Sequence, residues 1–124
     1  MDRSHPERFP RHLRLVRGAD YRSIYSEGRR TQTRWFVLFS RQNGLGHHRL
    51  GITVSRKVGN AVVRNRIKRL FREVFRKAHA EIPDSFDFVV NARQGCAGAG
   101  YGVLRDDFLI AATKACRGQS GADA

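Results

Sequence analysis

The densest run of ionisable side chains lies between Arg56 and Arg76, where Arg56, Lys57, Arg64, Arg66, Lys68, Arg69, Arg72 and Arg76 are accompanied by one acid, Glu73. Guanidinium and ammonium groups stay charged near neutral pH, so they bind anions rather than exchange protons, and the Arg fork suits phosphate oxygens. Side chains for a self-contained nuclease are missing: Asp20, Glu27, Glu73, Asp87, Asp106 and Asp107 form no ligand-like set, and His79 has no evident partner. Cys96 and Cys116 show neither Cys-x-x-Cys spacing nor a nearby His pattern, so neither a disulfide framework nor a zinc site is expected. His47 and His48 sit together in a Gly-rich stretch and read as a solvated turn, with no metal assigned.

The basic run has helical periodicity. At roughly 100° per residue, Val63, Ile67, Leu70, Phe71, Val74 and Ala78 share one arc, which should face a core. The opposite arc carries Asn65, Lys68, Arg69, Arg72 and Arg76, with Arg64 and Arg66 on its shoulders. A merely solvated helix usually mixes signs, because opposite charges at i, i+4 stabilise it and like charges destabilise it by a few tenths of a kcal/mol. Here Lys68 with Arg72, and Arg72 with Arg76, are like pairs. Arg64 and Arg66 also occupy the first turns, where the macrodipole favours anions by roughly 0.3–1 kcal/mol. Both features point to a bound polyanion. Asn60 is placed to cap the helix, Gly59 to let the backbone turn, and the free amides beyond to meet a phosphate.

The whole chain supports that reading. In 124 residues there are 24 Lys and Arg against 11 Asp and Glu, a formal charge of +13. Such a balance steers a protein to nucleic acid or another anionic surface, and makes it repel itself without one. The length suits one domain. No stretch approaches the roughly 20 apolar residues of a spanning helix, and the first ten residues lack the apolar centre of a signal peptide, so a cytoplasmic protein without membrane association is expected.

The elements that must position the basic run follow from pattern. Residues 1–14 are Pro-, His- and Arg-rich and read as a flexible basic arm, with one domain over 15–117 and a disordered tail over 118–124. Tyr21, Ile24 and Tyr25 keep helical spacing between Gly18 and Gly28. Residues 34–40 form a strand apolar on both faces, and 50–55 alternate as its partner in a hairpin-like pair. A helix is expected over 61–78, a break around Pro83, a strand over 86–92 and a last helix from Tyr101. The fold class is α/β, a small α+β two-layer sandwich: helix, three strands, helix, strand, helix around one sheet.

Arg64-Asn65-Arg66 followed by Lys68, Arg69 and Arg72, approached through Gly51, Val54-Ser55 and Lys57 to Val62, resembles the signature of the bacterial ribonuclease P protein family. The resemblance extends over about residues 11–115. It implies an accessory subunit of an endoribonuclease, with the bond cleaved by a catalytic RNA that holds the magnesium ions while the protein binds no cofactor. It implies as partners that RNA and precursor tRNA, with no obligate protein partner. Carried over, Arg64, Asn65, Arg66, Lys68, Arg69 and Arg72 would contact the catalytic RNA, with Arg56 and Arg76 extending that face. Tyr21, Tyr25, Phe36, Phe39, Lys57 and Arg93 match the cleft that receives the single-stranded 5′ leader, where aromatic faces stack on unpaired bases with little sequence preference. The sequence departs from the family in having Tyr where its first helix has Phe, and in Asn91, where an apolar residue is ordinary. The family also implies a left-handed strand–helix–strand crossover, against the right-handed rule. A ribosomal protein or general RNA chaperone of similar fold is the alternative, separable by its indifference to one structured RNA.

Overall fold

The computed structural model describes residues 10–83 and 85–122, with side chains to residue 117. In chain order, α1 spans Gly18–Glu27, β1 Arg29–Gln32, β2 Phe36–Gln42, β3 Arg49–Thr53, α2 Ala61–Ala78, β4 Phe86–Ala92 and α3 Tyr101–Ala122. Short 3-10 turns lie at Arg11–Leu13, His79–Glu81 and Cys96–Gly98. The expected element order holds.

One four-stranded sheet runs in the order β1-β2-β4-β3. β4 pairs antiparallel with β2, Phe39 opposite Val89, and parallel with β3, Leu50 opposite Phe88. The expected hairpin of the 34–40 and 50–55 strands is therefore replaced by an arrangement with β4 between them. The reason is burial on both faces: Phe86, Phe88 and Val90 are buried on one side and Val89 on the other, so β4 needs a layer on each face and takes a central place. The polar β1, Arg-Arg-Thr-Gln, has no apolar period to announce it and forms the edge beside β2.

The two sheet faces carry separate clusters. Phe36, Leu38, Leu50, Phe86, Phe88 and Val90 meet Ile67, Phe71, Val74 and Phe75 of α2 and Leu104, Phe108 and Ala112 of α3. On the other face Ile24 of α1 joins Leu15 and Val89, with Tyr21 and Phe39 at the margin. Gly28 ends α1 at φ −78°, so it is not needed for a left-handed turn. A Cβ there would lie 2.4 Å from Ile24 O and 2.8 Å from Ser40 O; close approach of helix and strand demands the glycine.

Both chain ends depart from expectation. Residues 1–9 of the expected arm lie outside the described residues, but 10–14 belong to the fold: Leu13 is buried, and Leu15 N–H donates to Leu50 O on the β3 edge at 3.0 Å. At the other end α3 continues to Ala122, into the segment expected as tail. His48 is not solvated either. It is buried, accepts from Phe86 N–H at Nδ1 (3.0 Å) and donates from Nε2 to Ile82 O (2.9 Å), which fixes the Nε2–H tautomer and ties the β2–β3 loop to the start of β4.

Candidate nucleic-acid interface

α2 begins at Asn60, whose side-chain oxygen accepts from Val63 N–H at 3.0 Å. Gly59 before it is required by crowding, since a Cβ would come within 2.7 Å of Val63 Cγ1. The helix buries Ile67, Phe71, Val74, Phe75 and Ala78, leaves Val63 and Leu70 half-buried, and turns Asn65, Arg66, Arg69 and Arg72 to solvent. Phe75, outside the expected arc, widens the buried stripe through contact with Phe108 of α3.

The cations of this face are not equivalent. Arg64 is half-buried and donates from a terminal nitrogen to Gly59 O at 2.9 Å, bracing the turn that leads into α2. Arg76 is clamped to Glu73 by two bonds, Nε to Oε1 at 3.2 Å and a terminal nitrogen to Oε2 at 2.7 Å, with Lys77 on the same carboxylate at 3.3 Å. Those hydrogen bonds, Arg76 first, hold the Glu73 carboxyl below its ordinary value. Lys68 and Arg72 lean toward the sheet edge, where with Arg14 and Tyr21 they line a hollow of about 220 Å³ floored by Leu50, Gly51 and Ile52. Arg56 and Lys57 are exposed on the turn between β3 and α2.

Of the residues expected in a cleft, Tyr21, Tyr25 and Phe39 come together on the α1 face of the sheet. Tyr25 meets Phe39 edge to face at 4.9 Å between centroids, donates to Asn91 Oδ1 at 2.9 Å, and lies 3.4 Å from Thr53 Oγ1. The two departures from the family are thus one interaction: the extra hydroxyl of Tyr25 answers the polar Asn91. Tyr21 donates to Leu15 O at 3.3 Å and covers Gly51, where a Cβ would fall 2.4 Å from its oxygen. Burial raises the Tyr21 phenol above its ordinary value, with Tyr25 adding to the effect.

Phe36 is a correction. It is 0% exposed on the opposite sheet face and packs edge to face on Phe71 at 5.2 Å, so it cannot stack on a base. Side chains alternate along a strand, and Phe36 and Phe39 fall on opposite faces of β2. Arg93 follows β4 and is exposed, but a terminal nitrogen donates to Thr33 O at 3.0 Å, which holds it against the β1–β2 turn. Lys57 and Arg93 thus leave the same ends of the parallel pair β3 and β4.

The sequence reading missed a polar knot under α1. Asp87, fully buried, takes two bonds from Arg49 (2.8 and 2.7 Å), one from Asn43 (2.8 Å) and one from Arg41 (3.3 Å). Asp20 lies 3.8 Å from Arg49, Glu27 lies 3.8 Å from Arg41, and Arg41 also bonds Ser23. Acids that share no sequence pattern are gathered by two arginines from β2 and β3, the strands on either side of β4. Burial alone would push the Asp87 carboxyl up, and the bonds from Arg49, Asn43 and Arg41 outweigh it, leaving it lowered. Among the described residues no group of three or more His, Cys, Asp or Glu could hold a metal ion, and no helix is long and apolar enough to cross a membrane.

Comparison with known proteins agrees with this geometry. The family model described as Ribonuclease P matches residues 9–116. The ribonuclease P protein component of Streptococcus pneumoniae strain Hungary19A-6 is 37% identical over 99 residues, 80% of each chain. Among solved structures, the ribonuclease P protein of Thermotoga maritima superimposes with a TM-score of 0.75 at 36% identity, covering 82% of this chain and 96% of that one. That of Staphylococcus aureus gives 0.71 at 37%, covering 80% and 91%. A match of this extent, on a chain whose basic helix and aromatic cleft lie on one frame, shows that the protein belongs to the ribonuclease P protein family.

Proposed function

We propose that this chain, as the accessory protein subunit of ribonuclease P, holds the catalytic RNA on the outer face of α2 and the single-stranded 5′ leader of precursor tRNA in the cleft between α1 and the sheet. The observation that carries this division is the placement of the two sets. Arg66, Arg69 and Arg72 are exposed on α2, whereas Tyr25 of α1 meets Phe39 of β2 beside Asn91 and Thr53 on the other face of the sheet.

Arg66, Arg69 and Arg72 are exposed on one helix face and suit phosphates of a folded RNA, with Asn65 between them and Arg56 at the approach. Arg64 serves a double role, bracing the Gly59 turn and presenting its remaining donors beside the free amides of the helix start. Arg76 contributes less, because Glu73 already neutralises it.

In the cleft, Tyr25 and Phe39 offer ring surface to unpaired bases, while Lys57 and Arg93 follow the phosphates at the ends of β3 and β4. Tyr21 acts as wall rather than platform, being half-buried over Gly51. The protein performs no bond cleavage in this proposal; it aligns two RNAs and offsets their mutual repulsion. Magnesium belongs to the catalytic RNA, and no other protein is required.

The test is cleavage of a precursor tRNA by a bacterial ribonuclease P RNA at low magnesium, with and without this chain. Accurate 5′ ends that appear only with the protein are expected. Tight binding to several unrelated RNAs without any stimulation would instead favour the ribosomal or chaperone role.

A further inference from the structure

On the sheet face opposite the leader cleft, the β1–β2 turn and α3 enclose an open groove of about 610 Å³, within the ~300–1,000 Å³ range of small-molecule sites. Thr33, Arg34 and Trp35 form one wall, and Val103, Ile110 and Lys114 the other. Trp35 is the chain's one tryptophan, and the Arg34 guanidinium lies over its ring at 4.7 Å. Ile110 is 67% exposed and Val103 47% exposed, an apolar strip that no described part of the fold covers.

Charge selects the occupant. Lys114 and Arg34 flank the groove against one acid, Asp107. Arg29, opposite the buried Ser40 on β2, points to the same face from β1. A second copy of a chain carrying +13 would be repelled from this rim, whereas an RNA strand would be attracted. A half-buried aromatic plate beneath a guanidinium, with cations along both lips, is the combination that binds unpaired nucleotides.

We propose that this groove is a second RNA site, in which an unpaired segment of the catalytic RNA places a base against Trp35 and Arg34, its sugar against Val103 and Ile110, and its phosphates on Lys114 and Arg29. The proposed leader cleft lies across the sheet beside α1 and meets the β1–β2 turn at Arg93, which donates to Thr33 O, so the leader is the competing occupant that the test must separate. The proposal rests on the catalytic RNA being the partner, and its test separates the groove from α2.

Because Trp35 is the one tryptophan, its emission reports the groove directly. Full-length protein titrated with a bacterial ribonuclease P RNA should show quenched emission, and a leader oligonucleotide alone should leave it unchanged. Ile110→Glu and Lys114→Glu, both at positions on the open side of α3 that the fold tolerates, should each weaken RNA affinity roughly fivefold or more and reduce the quench. Trp35→Phe, which keeps a smaller ring, should bind more tightly than Trp35→Ala.

Three results overturn the proposal: unchanged emission when gel retardation shows the RNA bound, quenching by the leader oligonucleotide alone, or sedimentation of the free protein as a dimer that Ile110→Glu dissolves. Failure of the α2 assignment has its own signature, undiminished affinity of an Arg64→Ala/Arg66→Ala double variant while the Trp35 signal persists.

Discussion

One hydroxyl separates Tyr25 from phenylalanine, and Asn91 is what it answers. Tyr25→Phe should lower thermal stability by about 1 kcal/mol, the usual net value of such a bond, while leader affinity changes little because the ring remains. Tyr25→Ala should weaken leader binding by about 1–3 kcal/mol, measured by titration with a single-stranded oligonucleotide. Asp87 gives the sharper stability test. Its removal in Asp87→Asn leaves Arg49 and Arg41 beneath α1 without their shared carboxylate, and should cost about 3 kcal/mol in urea unfolding. Since the folded Asp87 carboxyl is lowered, its contribution is present above the ordinary Asp value near about 4 and is lost as pH falls through the folded value. The wild-type acid limb should therefore be steeper than that of Asp87→Asn below about pH 4.

At the scale of elements, α2 combines two tasks on one cylinder, burying Ile67, Phe71, Val74 and Phe75 while exposing Arg66, Arg69 and Arg72. The tasks separate by mutation. Asn60→Ala removes the oxygen that receives Val63 N–H and should cost about 1 kcal/mol of stability. Arg66→Ala with Arg69→Ala, both exposed, should leave the melting temperature nearly unchanged. Their expected effect is weaker catalytic-RNA binding, with the slope of log K against log salt reduced by about 0.7–0.9 for each phosphate that is no longer neutralised. A slope equal to the wild type's would place the RNA elsewhere. Periodicity made α2 legible from the sequence, bounds included, because a buried stripe and a charged stripe on one helix mark each other. The same logic could not find β1, whose polar residues carry no period, nor place β3, whose neighbour is chosen by β4.

For the whole molecule, the excess of 24 basic over 11 acidic residues opposes the compact state and favours any polyanion that covers it. The melting temperature of the free protein should rise between ~10 and ~150 mM salt as the Debye length shortens from roughly 30 to 8 Å. Saturating catalytic RNA should raise it further through mass action; differential scanning fluorimetry measures both.

By itself the sequence determined the sign of the chain's charge, the amphipathic helix α2 with its basic stripe and the family signature around Arg64-Asn65-Arg66, because each is written in residues close along the chain. Only the tertiary structure decided which aromatics enter the core and which lie on the α1 face of the sheet. Phe36 and Phe39 differ in sequence by strand parity alone, and the side on which α2 and α3 pack sends one to the core and the other to the α1 face beside Tyr25. It also decided that Asp87 sits fully buried against Arg41 and Arg49, and that Trp35 lines a groove with Ile110. Those contacts join residues distant in the chain, and no local spacing encodes which strand becomes the centre of the sheet.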